Sequence, residues 1–172
     1  MDLKHKYFDI VIVGTGLVGL ATAHSIIKDF KDLRLAIIEK EKEICIHQSK
    51  RNSGVIHSGL YYSPGSERAI NCTIGREMLT KYCKENKVEH DICGKIVVAT
   101  NKNELERLYK LEINGKQNGL SGIKMINKKA IKKVEPYVDG IEALFVPQSG
   151  IINYRSFCLL YTSPSPRDGV QS

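Results

Sequence analysis

Gly14-Thr15-Gly16-Leu17-Val18-Gly19 sets three glycines at GxGxxG spacing, and a carboxylate, Glu39, follows 20 residues after the third. That combination suits a dinucleotide. Gly14 permits a tight turn, Gly16 lets the backbone approach a pyrophosphate, and Gly19 lets a helix pack closely on a strand. A helix opening at Leu17 and Val18 offers unpaired N–H groups and partial positive charge to the phosphates. Glu39 can accept hydrogen bonds from both hydroxyls of a ribose. An acidic side chain there also repels a 2′-phosphate, which argues against NADP.

A glycine turn with no ligand is the plainer alternative, so the flanking elements must decide. Phe8 to Val13 is a short, nearly continuous apolar run ending at Gly14, the pattern of a strand covered on both faces of a parallel sheet. Leu17 to Phe30 follows with Leu17, Leu20, Ala21, His24, Ile27 and Phe30 near one line at helical spacing. Arg34 to Glu39 is a second apolar strand. These form a β-α-β unit, the beginning of a Rossmann-like doubly wound sheet. The glycines therefore sit where the fingerprint requires them, between strand and helix.

The fingerprint does not choose between FAD and NAD. Residues 40–65 have no helical period and are rich in polar residues and glycine, and loops of that length usually carry function. Lys40 opens the loop, and Gln48, Ser49, Asn52, Ser53 and Gly54 give it amides, a hydroxyl-rich run and small residues. Such a segment can run along the pyrophosphate toward a flavin, whereas NAD enzymes usually proceed straight to the next helix. FAD is the expected cofactor. Lys50 and Arg51 can meet phosphate or a substrate carboxylate, or be solvated surface charges.

Downstream, Ser66 can cap a helix to about Lys87 with Ala69, Cys72, Leu79 and Cys83 roughly on one side. Arg76 shares that side, where a salt bridge is the default expectation. Lys95 to Thr100 reads as a strand, and Asn101 with Glu104 as an N-cap and capping-box partner for a helix to about Gln117, closed by Asn118-Gly119. Asn127 can cap a shorter helix ending before Pro136. Glu142 to Val146 is a strand, Ser149-Gly150 a turn, and a helix begins at Asn153.

With 172 residues, 42% hydrophobic and 26% charged, the chain has the balance of a globular protein. Its apolar runs are far shorter than the roughly 20 residues of a membrane span. The formal charge of +7 is carried by scattered lysines without interleaved stacking aromatics, so no nucleic-acid partner is expected. A diffuse positive field can still attract an anionic substrate or the surface of an anionic membrane. Five widely spaced cysteines, with no CxxC, support neither a disulfide framework nor a metal site. Residues 1–7 lack a leader pattern, and a cytoplasmic location, with peripheral contact to the inner membrane open, is the expectation.

The stretch from Asn52 to Ser66, NSGVIHSGLYYSPGS, resembles that of the L-2-hydroxyglutarate oxidases and dehydrogenases, within the D-amino-acid-oxidase-like (DAO) family of FAD-dependent oxidoreductases. Cys93-Gly94-Lys95, Val98-Ala99-Thr100, Glu135-Pro136 and Val146 to Ile152 look like further blocks of the same enzymes in the same order. The resemblance runs over residues 7–157 and implies the first part of a longer enzyme. It implies hydride transfer from C2 of a 2-hydroxy dicarboxylate to flavin N5, with quinone or oxygen taking the electrons. His57 is then the best candidate for a base or flavin contact, since an imidazole titrates near neutrality and stands in the loop expected beside the flavin. A structural histidine bonded to the loop backbone is the alternative. Another enzyme of the same family, acting on glycerol 3-phosphate or an amino acid, and a non-catalytic dinucleotide-binding module remain open.

The expected organisation is residues 1–65 as the first part of an FAD domain, 66–152 as the beginning of an α+β substrate domain, and 153–157 as a return toward the FAD domain. Residues 158–168, CLLYTSPSPRD, resemble the conceptual translation of a transposase-type sequencing adapter. Residues 158–172 are accordingly expected to be foreign to the natural protein.

Overall fold

The structure is a computed structural model and describes residues 7–161. The chain divides into two compact units, Met1–Ser53 with Asn153–Ser172, and Gly54–Ile152. The long loop thus splits between Ser53 and Gly54, because the segment after Gly54 enters a sheet of the second unit.

In the first unit β1 (Ile10–Val13) pairs in parallel with β2 (Leu35–Ile38), joined by helix α1 (Leu17–Asp29). Ile12 pairs with Ile37 and Val13 with Ile38, so both strands end beside the glycine turn. The unit's core is Leu20, Cys45 and Cys158, with Leu17, Ile44 and Tyr161 against them. Two expectations need correction. β1 is not covered on both faces: Ile10 and Ile12 are half-buried, while Val11 is 49% and Val13 83% exposed. Nor is the expected α1 stripe buried throughout. Leu20 and Ala23 are buried, but Ile27 and Phe30 are more than half exposed. A two-stranded sheet under one helix has too little area to cover that stripe.

The second unit holds β3 (Val55–Ile56), α2 (Glu67–Glu85), β4 (His90–Asp91), β5 (Lys95–Ala99), α3 (Lys102–Gln117), β6 (Lys124–Asn127), α4 (Lys128–Val134), β7 (Glu142–Val146) and β8 (Gly150–Ile152). It contains two antiparallel sheets, ordered β3-β8-β4 and β5-β7-β6. Leu108 and Leu111 of α3 join Leu60, Ala99, Leu120, Ile123, Leu144 and Val146 in the core. The Ser149-Gly150 turn is corrected, since Gly150 opens β8 and pairs with Ile56.

Helix ends follow local chemistry. Ser66 Oγ accepts from the Ala69 N–H, and Asn101 Oδ1 from Asn103. Glu104 reaches back to the N–H of Thr100, one residue upstream of the cap. Asn127 accepts from Ala130, and α4 stops at Val134, two residues before Pro136. Asn153 caps α5 (Tyr154–Leu160) through the Ser156 N–H. Cys158 is buried, and burial beside Cys45 pushes its thiol up to about 12. The Tyr161 ring lies 5.0 Å from that of His24. The expected foreign segment therefore begins inside a packed helix, and its remainder from 162 onward lies outside the described residues.

Candidate functional site

In the first unit the site is built on the end of β1. Gly14 has φ +103°, a conformation a side chain would strain, and its N–H donates to the Ile38 carbonyl at 2.7 Å, clamping the turn to β2. Gly19 packs so closely on the turn that a Cβ would collide with the Gly14 carbonyl. Gly16 differs from both. Its φ of −71° suits any residue, but a Cβ would stand 3.2 Å from Ser49 Oγ. The space above Gly16 is therefore narrow, and polar on its far side.

Leu17 donates its N–H to Ser49 Oγ at 2.8 Å. Gly16 caps α1 without any side-chain bond of its own, so this helix start is served from the loop. Val18 exposes its side chain and can contribute only through its backbone. Glu39 Oε2 accepts from both the N–H and the hydroxyl of Thr15, at 2.8 and 2.6 Å, while Oε1 accepts from the Glu41 N–H at 3.1 Å. The Thr15 hydroxyl, then the Thr15 and Glu41 amides, draw the Glu39 pKa down to about 2. The carboxylate is ionised at neutral pH and locked to the glycine turn.

Thr15 and Cys45 were not singled out by sequence reasoning. Thr15 is an unconstrained position of GxGxxG, so its spacing carries no signal. Cys45, with φ +59°, donates its thiol to the Thr15 carbonyl at 3.1 Å and anchors the loop beneath the turn. Of the other candidates, Lys40 is exposed and lies 3.9 Å from Glu41. Gln48 lends its carbonyl to Asn52 Nδ2, which also donates to the Ser49 carbonyl. Asn52 thereby shapes the turn that presents Ser49. Ser53, Lys50 and Arg51 are exposed.

The second unit begins at Gly54, whose carbonyl accepts from Ile152 at 2.8 Å. His57 follows β3 with its ring exposed and bonded to none of the described residues. Its backbone is held instead. Cys72 Sγ donates to the His57 carbonyl at 3.5 Å, and Arg76 Nη1 to that of Ser58 at 3.3 Å. Arg76 also lies 3.7 Å from Glu77, so the expected ion pair accompanies a loop contact. Asn114 Nδ2 donates to the Leu60 and Tyr62 carbonyls, and Asn118 Nδ2 to those of Gly59 and Tyr62. Residues 57–62 are thus tied by two side chains of α2 and by two asparagines at the end of α3. The sequence marks Asn118 only as a helix terminator. Between the two asparagines, a Cβ on Gly115 would meet Leu60 and Ile123 at 2.9 and 2.8 Å.

The first unit fits an adenosine dinucleotide on its own geometry. It combines a left-handed glycine, a narrow cradle over Gly16, a helix start whose N–H donates to an oxygen partner, and an ionised carboxylate at the strand end. The sequence profile described as FAD dependent oxidoreductase matches residues 9–171. An L-2-hydroxyglutarate dehydrogenase of Pongo abelii, named as mitochondrial, is 44% identical over 154 residues, covering 90% of this chain and 37% of its own length. A protein of the same name from Indibacter alkaliphilus is 45% identical over 148 residues, covering 86% and 37%. The L-alpha-glycerophosphate oxidase of Mycoplasma pneumoniae, solved with FAD bound, superposes with TM-score 0.79 at 29% identity, over 90% of this chain and 42% of that one. This chain spans just over a third of these relatives' length. The expected cytoplasmic location is overturned by relatives named as mitochondrial. It rested on the composition of seven residues, and nothing in the fold that follows encodes a compartment. On the profile match and the geometry of the glycine turn, the chain belongs to the FAD-dependent oxidoreductases.

Proposed function

We propose that the full-length protein oxidises L-2-hydroxyglutarate to 2-oxoglutarate. The observation that carries this reading is the 44% identity to L-2-hydroxyglutarate dehydrogenases over 90% of the chain. The Leu17 N–H, now bonded to Ser49, and its neighbours at the start of α1 would receive the pyrophosphate. Gly16 leaves room for it, and Glu39 would accept from the ribose hydroxyls. Lys40, Gln48, Ser49, Asn52, Ser53 and Gly54 would line the cofactor's further course. Bound FAD supplies a two-electron acceptor for the hydride leaving C2.

As that C–H bond breaks, the hydroxyl O–H must also give up its proton so that the C=O can form. In this part of the chain, a ring nitrogen of His57 is the group suited to take it, its ring exposed on a backbone that α2 and α3 hold in place. Quinone or oxygen would accept the electrons. The doubly wound sheet would be completed by later strands beside β1 and β2, extending the parallel pair seen here.

Anaerobic mixing of the full-length protein with L-2-hydroxyglutarate should bleach the flavin absorbance. A second reading, oxidation of glycerol 3-phosphate, draws on the likeness to the Mycoplasma oxidase. Bleaching by glycerol 3-phosphate or an amino acid, with none by L-2-hydroxyglutarate, would overturn the substrate while leaving the cofactor assignment standing.

A further inference from the structure

Strand β5 begins with a residue that its row does not suit. Side chains along a strand alternate between faces, so Lys95 shares a face with Val97 and Ala99, and both of those pack into the core around Leu60. Lys95 is itself half-buried. A lysine at the head of an inward row ordinarily brings an acidic partner with it, because a cation taken out of water without one is costly. Lys95 has none among the described residues. The pairing of β5 with β7 sets Lys95 opposite Val146 and leaves the carboxylate of β7, Glu142, at the far end opposite Ala99.

The groups around this ammonium are neutral. Lys95 Nζ stands 4.5 Å from the centre of the Tyr61 ring, and a ring face offsets only part of the lost hydration. Burial raises the Tyr61 phenol above its ordinary pKa, so it carries no charge near neutrality. Burial raises the Cys72 thiol too, against the pull of Arg76 and Lys95. Arg76 engages the Ser58 carbonyl and Glu77, which leaves Lys95 as the cation of this group without a counter-charge. Desolvation draws the Lys95 pKa down, and an anion arriving beside it would restore the charged form. Further chain folded over this position removes water from it, so the need for an anion grows in the full-length protein. The position also ties that anion to the reacting end of the molecule. Leu60 packs in the core with Val97 and Ala99, and it precedes Tyr61 in the same tied loop that carries His57. Cys72, which feels the charge of Lys95, donates to the His57 carbonyl at 3.5 Å.

We propose that Lys95, seated over Tyr61, holds the substrate carboxylate remote from the carbon that loses its hydride, and so selects a 2-hydroxy dicarboxylate over a 2-hydroxy monocarboxylate. The proposal rests on the substrate reading above and adds the residue that enforces it. The test compares L-2-hydroxyglutarate with L-2-hydroxypentanoate, which has the same carbon chain and a methyl group in place of the far carboxylate, as reductants of the full-length flavoprotein. Wild type should prefer the dicarboxylate. Lys95→Met keeps the length of the side chain and removes its charge. The ratio of kcat/KM for the two acids should then fall roughly 10- to 150-fold, the range for a hydrogen bond to a charged group, chiefly through KM for the dicarboxylate. Lys95→Arg should recover part of the ratio. Lys124→Met removes an exposed lysine that lies 6.0 Å from the Phe145 ring on the same sheet, and it should leave the ratio unchanged.

Calorimetry supplies a readout without turnover. Glutarate should bind wild type more tightly than pentanoate does, and Lys95→Met should erase that difference. An unchanged preference in Lys95→Met protein of normal flavin content would overturn the proposal. So would a Lys95→Met protein that loses flavin or thermal stability and is slowed equally with both acids, since Lys95 would then be paired with a carboxylate elsewhere in the chain. Both outcomes leave the substrate reading intact. Wild-type protein whose flavin is not reduced by L-2-hydroxyglutarate at all would remove that reading, and this proposal with it.

Discussion

Among single residues, Gly16 and Glu39 separate what holds the cofactor from what holds the turn. Gly16 has a backbone conformation open to any residue, and among the described residues the near neighbour across the cradle is Ser49 Oγ. Gly16→Val should therefore leave the fold intact and fill the space a pyrophosphate needs. Full-length Gly16→Val protein should purify folded with little flavin, and undiminished flavin content would refute the cradle. Glu39 makes a different claim. Its pKa stands at about 2 against 4.5 for a free carboxyl, so folding favours the ionised form. That contribution is complete above pH 4.5 and lost as the pH falls toward 2. In flavin-free protein the stability difference between wild type and Glu39→Gln should be constant near neutrality and shrink through that window. Denaturant titrations giving a pH-independent difference would show that the Thr15 bonds do not hold the charged form.

For the elements, a sequence shows what is local and hides what is distant. The caps at Ser66, Asn101 and Asn127 are legible because each acts within three residues of itself. The glycine turn was legible because strand, turn and helix are contiguous. β3, β4 and β8 were not, since each is only two or three residues long and their pairing joins Val55 to Ile151 and His90 to Ile152. Asn114 and Asn118 escaped for the same reason. They look like a polar helix end, yet they bind a loop more than 50 residues earlier. Removing the two bonds of Asn118 should cost about 1–3 kcal/mol. Asn118→Asp tests the direction of those bonds, because a carboxylate facing the Gly59 and Tyr62 carbonyls can donate to neither. Thermal denaturation should rank wild type above Asn118→Ala, with Asn118→Asp no better than the alanine variant. An aspartate variant as stable as wild type would contradict the assigned geometry.

For the whole molecule, the exposed apolar positions of the first unit set what this chain can do alone. Val13 and Val18 are about four-fifths exposed, and Val11, Ile27, Phe30 and Ile38 about half. In a β-α-β unit these are positions that further strands and helices of a larger sheet bury, and the matched part of this chain covers only 37% of the relatives' length. Leaving such side chains in water forfeits roughly 25 cal/mol for each Å² of apolar surface, against a total stability of only about 5–15 kcal/mol for an ordinary domain. The second unit is better provided, with Leu108, Leu144, Val146 and Ile131 buried. The 172-residue chain expressed as written should therefore lose its first unit before its second. It should bind a hydrophobic dye, hold FAD weakly and show no turnover of L-2-hydroxyglutarate. Hydrogen exchange should find amides of α3 and β7 protected while those of β1 and α1 exchange quickly. Stoichiometric flavin in this chain, with β1 as protected as β7, would show that the bare faces do not limit it.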